Sequence, residues 1–486
     1  MRIQLRQLVR TELLLQRRHG VVATSAVLGL LLVVALLAVP PDWRAGLLPW
    51  VLLLEVASIG FFVLPALAVI ERGTGVTAAL ALTRLHPATA LAVRLGVLLP
   101  SAMLTALPAI LISGVDHVTT VLAGVVVAVV LFALIAVLMV GRETTLGPFV
   151  ARSPLVAAPL LVPAVLHGSG AIRAPALFAS PATGAFELLS GSTSWLQASW
   201  LLAWIAALAL LAIRLGAHAR PVTGSVTART PRRTTLGGSA TDRPRPFTSF
   251  ARVDGRALLA DRVLILLLLG IPLIALALRA VAGPGVAWAQ TQYAVDLGPH
   301  LPAITAFVLA IHIPTILGLL VGLLFLEDRD AGLLPTLAVT PAGVGTLIAY
   351  RLTALAAAVV VVVPIATLIA GIRHPAGVPG VAALALAGGF VASVPAMLLA
   401  AYGRDRAHGM VLTKVITLPL YLPVAWWYVD SPLGWLFGVV PTAFAVRAAW
   451  ATTPTLALLA AGVTGLLSAL AVRLLAPRLL TATVTS

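Results

Sequence analysis

Cysteine is absent from all 486 residues. Disulfides, thiolate metal sites, iron–sulfur clusters and Cys nucleophiles are thereby excluded, and cysteine usage carries no clue to redox compartment. Charge is scarce. Lys and Arg together number 32 and Asp and Glu 16, so charged residues make up 10% of the chain, where soluble globular proteins carry about 25%. Lysine occurs once, at Lys414, and residues 408–413 before it read HGMVLT. A phosphate-binding loop, which needs G-x-x-x-x-G-K-[ST], is therefore missing. No H-E-x-x-H and no His/carboxylate cluster at metal-ligand spacing occurs, and nothing points to a Ser/His/Asp triad. The chain reads as one that is not itself an enzyme and binds no cofactor of its own.

What is present is apolar. Hydrophobic residues make up 60% of the sequence, and the mean hydropathy is +1.07. A membrane-spanning helix needs about 20 mostly apolar residues. Twelve stretches qualify: 20–39, 47–70, 91–114, 118–140, 154–172, 196–217, 263–282, 303–326, 346–371, 379–401, 412–430 and 454–476. The fifth and eleventh are interrupted by Pro159, Pro163, Pro419 and Pro423. The first run is too long for a secretory signal, and Val39 to Trp43 make a poor cleavage site, so it reads as a retained span. The expected fold is an all-α polytopic membrane protein with about twelve transmembrane helices.

The net charge of +16 comes almost entirely from Arg placed between the apolar runs. That placement favours a lipid bilayer surface as the partner over nucleic acid. With the N-terminus inside, 27 of the Lys and Arg residues fall on the inner side. Five fall outside: Arg44, Arg173, Arg279, Arg373 and Arg447. The positive-inside rule then puts both termini in the cytoplasm. In the opening segment Arg2, Arg6, Arg10 and Arg17 share one helical face and Leu5, Leu8 and Leu15 another, the pattern of a helix lying in the interface. An ordinary basic flank reads equally well.

A repeat underlies the second half. Residues 71–95 read ERGTGVTAALALTRLHPATALAVRL and residues 328–352 read DRDAGLLPTLAVTPAGVGTLIAYRL. At a constant offset of 257 the two share Arg72/Arg329, Gly75/Gly332, Thr83/Thr340 and Arg94/Arg351, with Glu71 matched to Asp328 in charge. GRE at 141–143 answers GRD at 403–405, and PLLVP at 159–163 answers PLYLP at 419–423. Shared Ala and Leu would be cheap in such a composition; shared Arg, Gly, Thr and Pro are not. The expected organisation is a first six-span unit over 1–217 with an N-terminal interfacial helix, a flexible cytoplasmic linker over 218–247, and a second six-span unit over 248–486. Six spans each make the two repeats parallel, not inverted.

Ionisable residues inside spans are costly and mark function by default, and Glu55 in the second span and His312 in the eighth are read in this way. Glu55 and His312 also differ by 257. Each lies 16 residues before the acidic position of the repeated loop, about 24 Å along a helix. They are candidates for a translocation pathway, facing each other across the pseudo-twofold axis. The alternative is that each finds only water or a backbone carbonyl.

The repeated loop carries a resemblance. Glu71-Arg72, Gly75, Leu80 and Thr83, and again Asp328-Arg329, Gly332, Leu337, Thr340 and Pro341, resemble the motif E-[KR]-x-x-G-x4-L-x-x-[TS]-P. This motif belongs to the membrane subunits of type-2 ABC exporters, particularly bacterial drug-export permeases of the fluoroquinolone-exporter kind. Arg84 departs from it where Pro is expected, and Glu327 stands as an alternative family Glu if one residue is gapped. The resemblance implies that these residues form coupling helices between the second and third spans of each unit. It further implies two copies of a soluble ATP-binding-cassette ATPase subunit as partners, with ATP and Mg bound there. A bacterial plasma-membrane location follows, as does export of a small lipophilic or amphipathic compound such as an antibiotic. An ion-gradient-driven secondary transporter is the rival reading, and a membrane enzyme acting on lipids a third.

Overall fold

The computed structural model describes residues 2–18, 20–37, 41–73, 86–141, 147–170, 172, 174–217, 250, 262–293, 296–341, 343–429 and 432–484. The segment expected as a linker, 218–247, lies outside them, as do Gly75, Thr83 and Arg84. All regular structure among the described residues is helical. Among the described residues, ten helical stretches are long and apolar enough to cross a membrane, and one bent pair makes up to eleven.

The bent pair opens the chain. Arg2–Arg18 (α1) turns by 58° into Val21–Leu37 (α2). Gly20 makes the corner at φ +69°, a backbone region that side chains with a Cβ avoid. α1 buries Leu8, Glu12 and Gln16, one stripe at i, i+4, i+8, and leaves Leu5, Leu13 and Leu14 exposed. Leu8 thus turns inward, away from the outer apolar face on which the sequence groups it.

The second span is one continuous rod made of Pro41–Val51 (α3), a π-helical segment Leu52–Val56, and Ala57–Gly73 (α4). Pro87–Ser113 (α5) and Val118–Val140 (α6) follow. The expected fifth span differs. The helix is there, Gly147–Gly168 (α7), but only its Pro159–Gly168 part is an apolar stretch, and a short one. Arg152 and Ser153 in its first turns and the prolines beyond them dilute the run. A short helix Pro181–Leu189 (α8) then leads to the sixth span, Trp195–Ala217 (α9).

The second half repeats this order: Arg262–Ala280 (α10), a π-helical Val281–Gly285 and Val286–Tyr293 (α11), then Leu301–Ala306 (α12), a π-helical Phe307–His312 and Ile313–Asp330 (α13). Leu333–Ala338 (α14), Gly343–Ala370 (α15), Gly377–Tyr402 (α16), Arg406–Tyr421 (α17), Thr442–Trp450 (α18) and Pro454–Val484 (α19) complete it. The eighth span runs on to Asp330, a turn beyond the expected end, because the charged Glu327-Asp328-Arg329 finds partners at the helix end.

Packing follows the same plan in both halves. α2 lies against α5, as α10 does against α15. α4 lies against α6, as α13 does against α16. At the second of these contacts the backbones nearly touch. A Cβ on Gly60 would stand 2.4 Å from the Val129 carbonyl oxygen, and one on Gly318 would stand 2.2 Å from that of Ala392. Small residues at crossings replace the hydrophobic drive that lipid abolishes. The halves join through a reciprocal exchange: α17 packs against α2 and α4, and α10 packs against α7.

Candidate functional site

The segment after the second span of each half is flanked by an ion pair. In the second half Arg351, at the start of α15, meets Asp328 at 2.6 Å. In the first half Arg94 pairs with Glu71 and, at 3.1 Å, with Glu12 of α1. The two pairs are 257 residues apart at both ends. The acidic residue that opens the motif is therefore turned inward: Glu71 is 3% exposed. In both halves the pair ties the end of one span to the start of the next. Burial pushes the Glu71 carboxyl up to about 7 from its ordinary 4.5; Arg94 and Arg72 oppose that shift and Glu12 adds to it.

Arg329 fastens the second loop from the other side. Its guanidinium donates to the Gly403 carbonyl at 2.5 Å and the Ala400 carbonyl at 2.7 Å. Gly403 is the first residue of the GRD landmark, so two motifs that are separate in sequence meet. Glu327 accepts at its backbone carbonyl from Ala331 N–H, and Gly332 turns the chain at φ +71°. The short apolar helix expected before Thr340 is α14. It buries Leu334 and exposes Leu333 and, just beyond it, Val339, which is 87% exposed. Thr340 donates its hydroxyl to the Leu337 carbonyl at 2.8 Å and closes the helix, with Pro341 exposed after it. The loop thus presents Leu333 and Val339 outward beside the exposed Asp330, while Asp328 and Arg329 bond within the fold. In the first copy, Arg72 is half-buried; Gly75 and Thr83 lie outside the described residues.

The second candidate group sits within the membrane-spanning region, at the seam between the halves. Glu55 lies in the π-helical segment Leu52–Val56, and His312 ends the π-helical segment Phe307–His312. Such segments widen the helix by one residue and occur often at functional positions. Glu55 pairs with Lys414 of α17 at 3.1 Å. His312 Nδ1 lies 2.9 Å from the Tyr421 hydroxyl, also on α17, with Phe307 stacked on the imidazole. Lys414 and Tyr421 are seven residues apart, two turns on one face. Tyr421 is within Coulombic reach of Glu55. One helix of the second half thus holds the ionisable residues of both second spans.

Sequence reasoning missed Glu12, Lys414 and Tyr421. Lys414 counts as a cytoplasmic flank by charge alone, but its helix spans His408–Tyr428. Arg94 and Arg351 appeared only as repeat landmarks. Opposite charges recurring together at one offset were the available signal for an ion pair.

Comparison with known proteins agrees with these features. Residues 254–476 match the model of the family described as fluoroquinolones export permease protein Rv2686c-like. The fluoroquinolones export permease protein Rv2686c of Mycobacterium tuberculosis (strain ATCC 25618 / H37Rv) is 27% identical over 209 residues, 43% of this chain and 82% of the relative. A second relative from the same organism, the fluoroquinolones export permease protein Rv2687c, is 30% identical over 192 residues, 38% of this chain and 78% of the relative. By this similarity and its apolar spans, the chain belongs to the fluoroquinolones export permease family of multi-pass membrane proteins.

Proposed function

We propose that this chain is the membrane subunit of an ATP-driven exporter, made of two six-span permease units fused in tandem. Its cargo is a lipophilic or amphipathic compound such as an antibiotic, and the seam between the halves is the pathway. The carrying observation is the polar set Glu55, Lys414, His312 and Tyr421 within the membrane-spanning region, contributed by both halves. Charges at membrane depth are retained where they line a route or a site. The relatives support the fusion: each matches over most of its own length, yet covers less than half of this chain.

In this reading a soluble ATPase subunit docks on each cytoplasmic loop, 71–90 and 327–347. The apolar surface of α14 with Leu333 and Val339 takes the contact. The Asp328–Arg351 and Glu71–Arg94 pairs transmit the push to two spans at once. Because α17 bears on α2 and α4, a shift of the loop alters the seam, and the Glu55–Lys414 pair opens or closes with it. The termini and the linker face the cytoplasm, and the plasma membrane is the site of action.

The polar seam also favours a second reading, a secondary transporter driven by an ion gradient. Purification of the detergent-solubilised chain from its host, with ATPase activity assayed on the eluate, separates the two. A co-purifying ATPase lost on Leu333→Asp plus Val339→Asp supports the exporter. A chain that purifies alone and transports in vesicles only under an ion gradient sinks it.

A further inference from the structure

A groove of about 490 Å³ runs between α16 and α17. Its walls are Leu398, Leu412, Val415 and Ile416, and its head is Arg404 with His408. The basic residues stand at one end only. Arg478 lies over the Tyr402 ring, 5.0 Å from its centre, at that same end. The acidic residue nearby in the chain, Asp405, accepts from His408 N–H at 2.8 Å and caps α17, so its charge is engaged at the helix terminus.

Arg404 is held in place by one bond. Its guanidinium donates to the Arg18 carbonyl at 2.9 Å, the last residue of α1 in the other half of the chain. A guanidinium has five N–H donors in a planar fork. His408 is oriented by accepting at Nδ1 from the Arg404 backbone N–H at 3.1 Å. Arg17 and Arg18 add charge on α1, both exposed. The result is a cationic head joined to an apolar slot, at the seam and on the Arg-rich side of the molecule.

We propose that this groove binds one anionic phospholipid of the leaflet on the Arg-rich side, its phosphate on Arg404 and His408 and one acyl chain between α16 and α17. Charge complementarity selects the head group: basic pockets between membrane helices on the cytoplasmic side suit anionic lipid heads. The slot's apolar length selects a lipid over a free anion, since inorganic phosphate would leave the leucine-lined part empty. Because Arg404 already holds the end of α1, a phosphate on its remaining donors would rivet the first half to the second.

The test uses the full chain in detergent, titrated with phosphatidylglycerol, phosphatidylcholine, oleate or inorganic phosphate, read by native mass spectrometry and by thermal melting. The expected result is one retained phosphatidylglycerol per chain, preferred about tenfold over phosphatidylcholine, with a rise in melting temperature. Arg404→Gln should remove the preference. Val415→Trp, which fills the slot and leaves the charges, should remove retention of both phospholipids while the unliganded chain melts as before. Equal retention of the two phospholipids by the native chain overturns the proposal. So does saturation by oleate or phosphate alone with the same gain in melting temperature, or undiminished phosphatidylglycerol retention in Val415→Trp.

Discussion

Glu71 and Glu12 share one guanidinium in a place with little water, and that decides how the first loop responds to pH. A carboxyl raised to about 7 in the folded chain and ordinary at 4.5 when unfolded releases a proton on unfolding between those values. Its contribution to stability is full below pH 4.5 and is lost as pH rises through 7. Glu71→Gln mimics the protonated form. It should flatten the dependence of thermal melting on pH across 4.5–7 and cost little at neutral pH; a melting profile unchanged from the native one would refute the assignment. Glu55 and Lys414 pose the opposite case. Removing one partner strands a charge at membrane depth, whereas reversing both keeps the pair. Glu55→Lys or Lys414→Glu alone should lower transport about tenfold or more. The double reversal should recover most of it, by a coupling of about 0.5–3 kcal/mol. A double variant as impaired as the sum of the singles would mean the pair is not a unit.

At the scale of elements, the helix crossings depend on backbone proximity. Gly60 and Gly318 admit no Cβ without displacing the Val129 or Ala392 carbonyl, and crowding of that kind costs about 1–3 kcal/mol. Gly318→Leu should therefore lower the melting temperature of the purified chain. Gly462→Ala on α19, where a Cβ would meet nothing within 4 Å, should leave it unchanged or raise it. The loop after the eighth span, proposed to couple to an ATPase, depends on geometry of another kind. Gly332 at φ +71° sets the angle between α13 and α14, and a residue with a Cβ pays about 1–2 kcal/mol there. Gly332→Val should weaken ATPase stimulation more than it weakens folding, measured as cargo-stimulated ATP hydrolysis against melting temperature.

For the whole molecule, the exchange of contacts between halves predicts mutual dependence. α17 rests on α2 and α4, and α10 on α7. Cutting the chain within 218–247 and expressing residues 1–230 with 231–486 should yield a complex that co-purifies and transports, because the joining contacts lie in the helices. Either piece alone should not transport. If the two pieces fail to associate while each is folded, the seam is not the organising interface. The Trp residues at the far ends of the spans behave differently from one another. Trp43, Trp195 and Trp435 are exposed, as interfacial anchors are. Trp427 and Trp450 also donate to the Pro299 and Pro302 carbonyls, 2.9 Å each, and so tie the second half's outer ends together.

Fold class was legible in the residues because lipid leaves the backbone few choices. An apolar run of spanning length must satisfy its own hydrogen bonds, and a helix does so internally. Among the described residues, ten of the twelve expected spans stand as single spanning helices, and the first makes an eleventh if its bent pair is one span. The short helix between Gly332 and Thr340 was legible for a similar reason, since Gly and Thr punctuate it locally. Partners across the bundle were not legible. That Glu71 faces inward onto Arg94, that Arg329 reaches Gly403, and that Glu55 and His312 both find α17 depend on how separate helices lie side by side. Periodicity says which residues share a face of one helix. Only packing decides which face of which neighbour they meet, because many pairings bury the same apolar area and few also satisfy the charges.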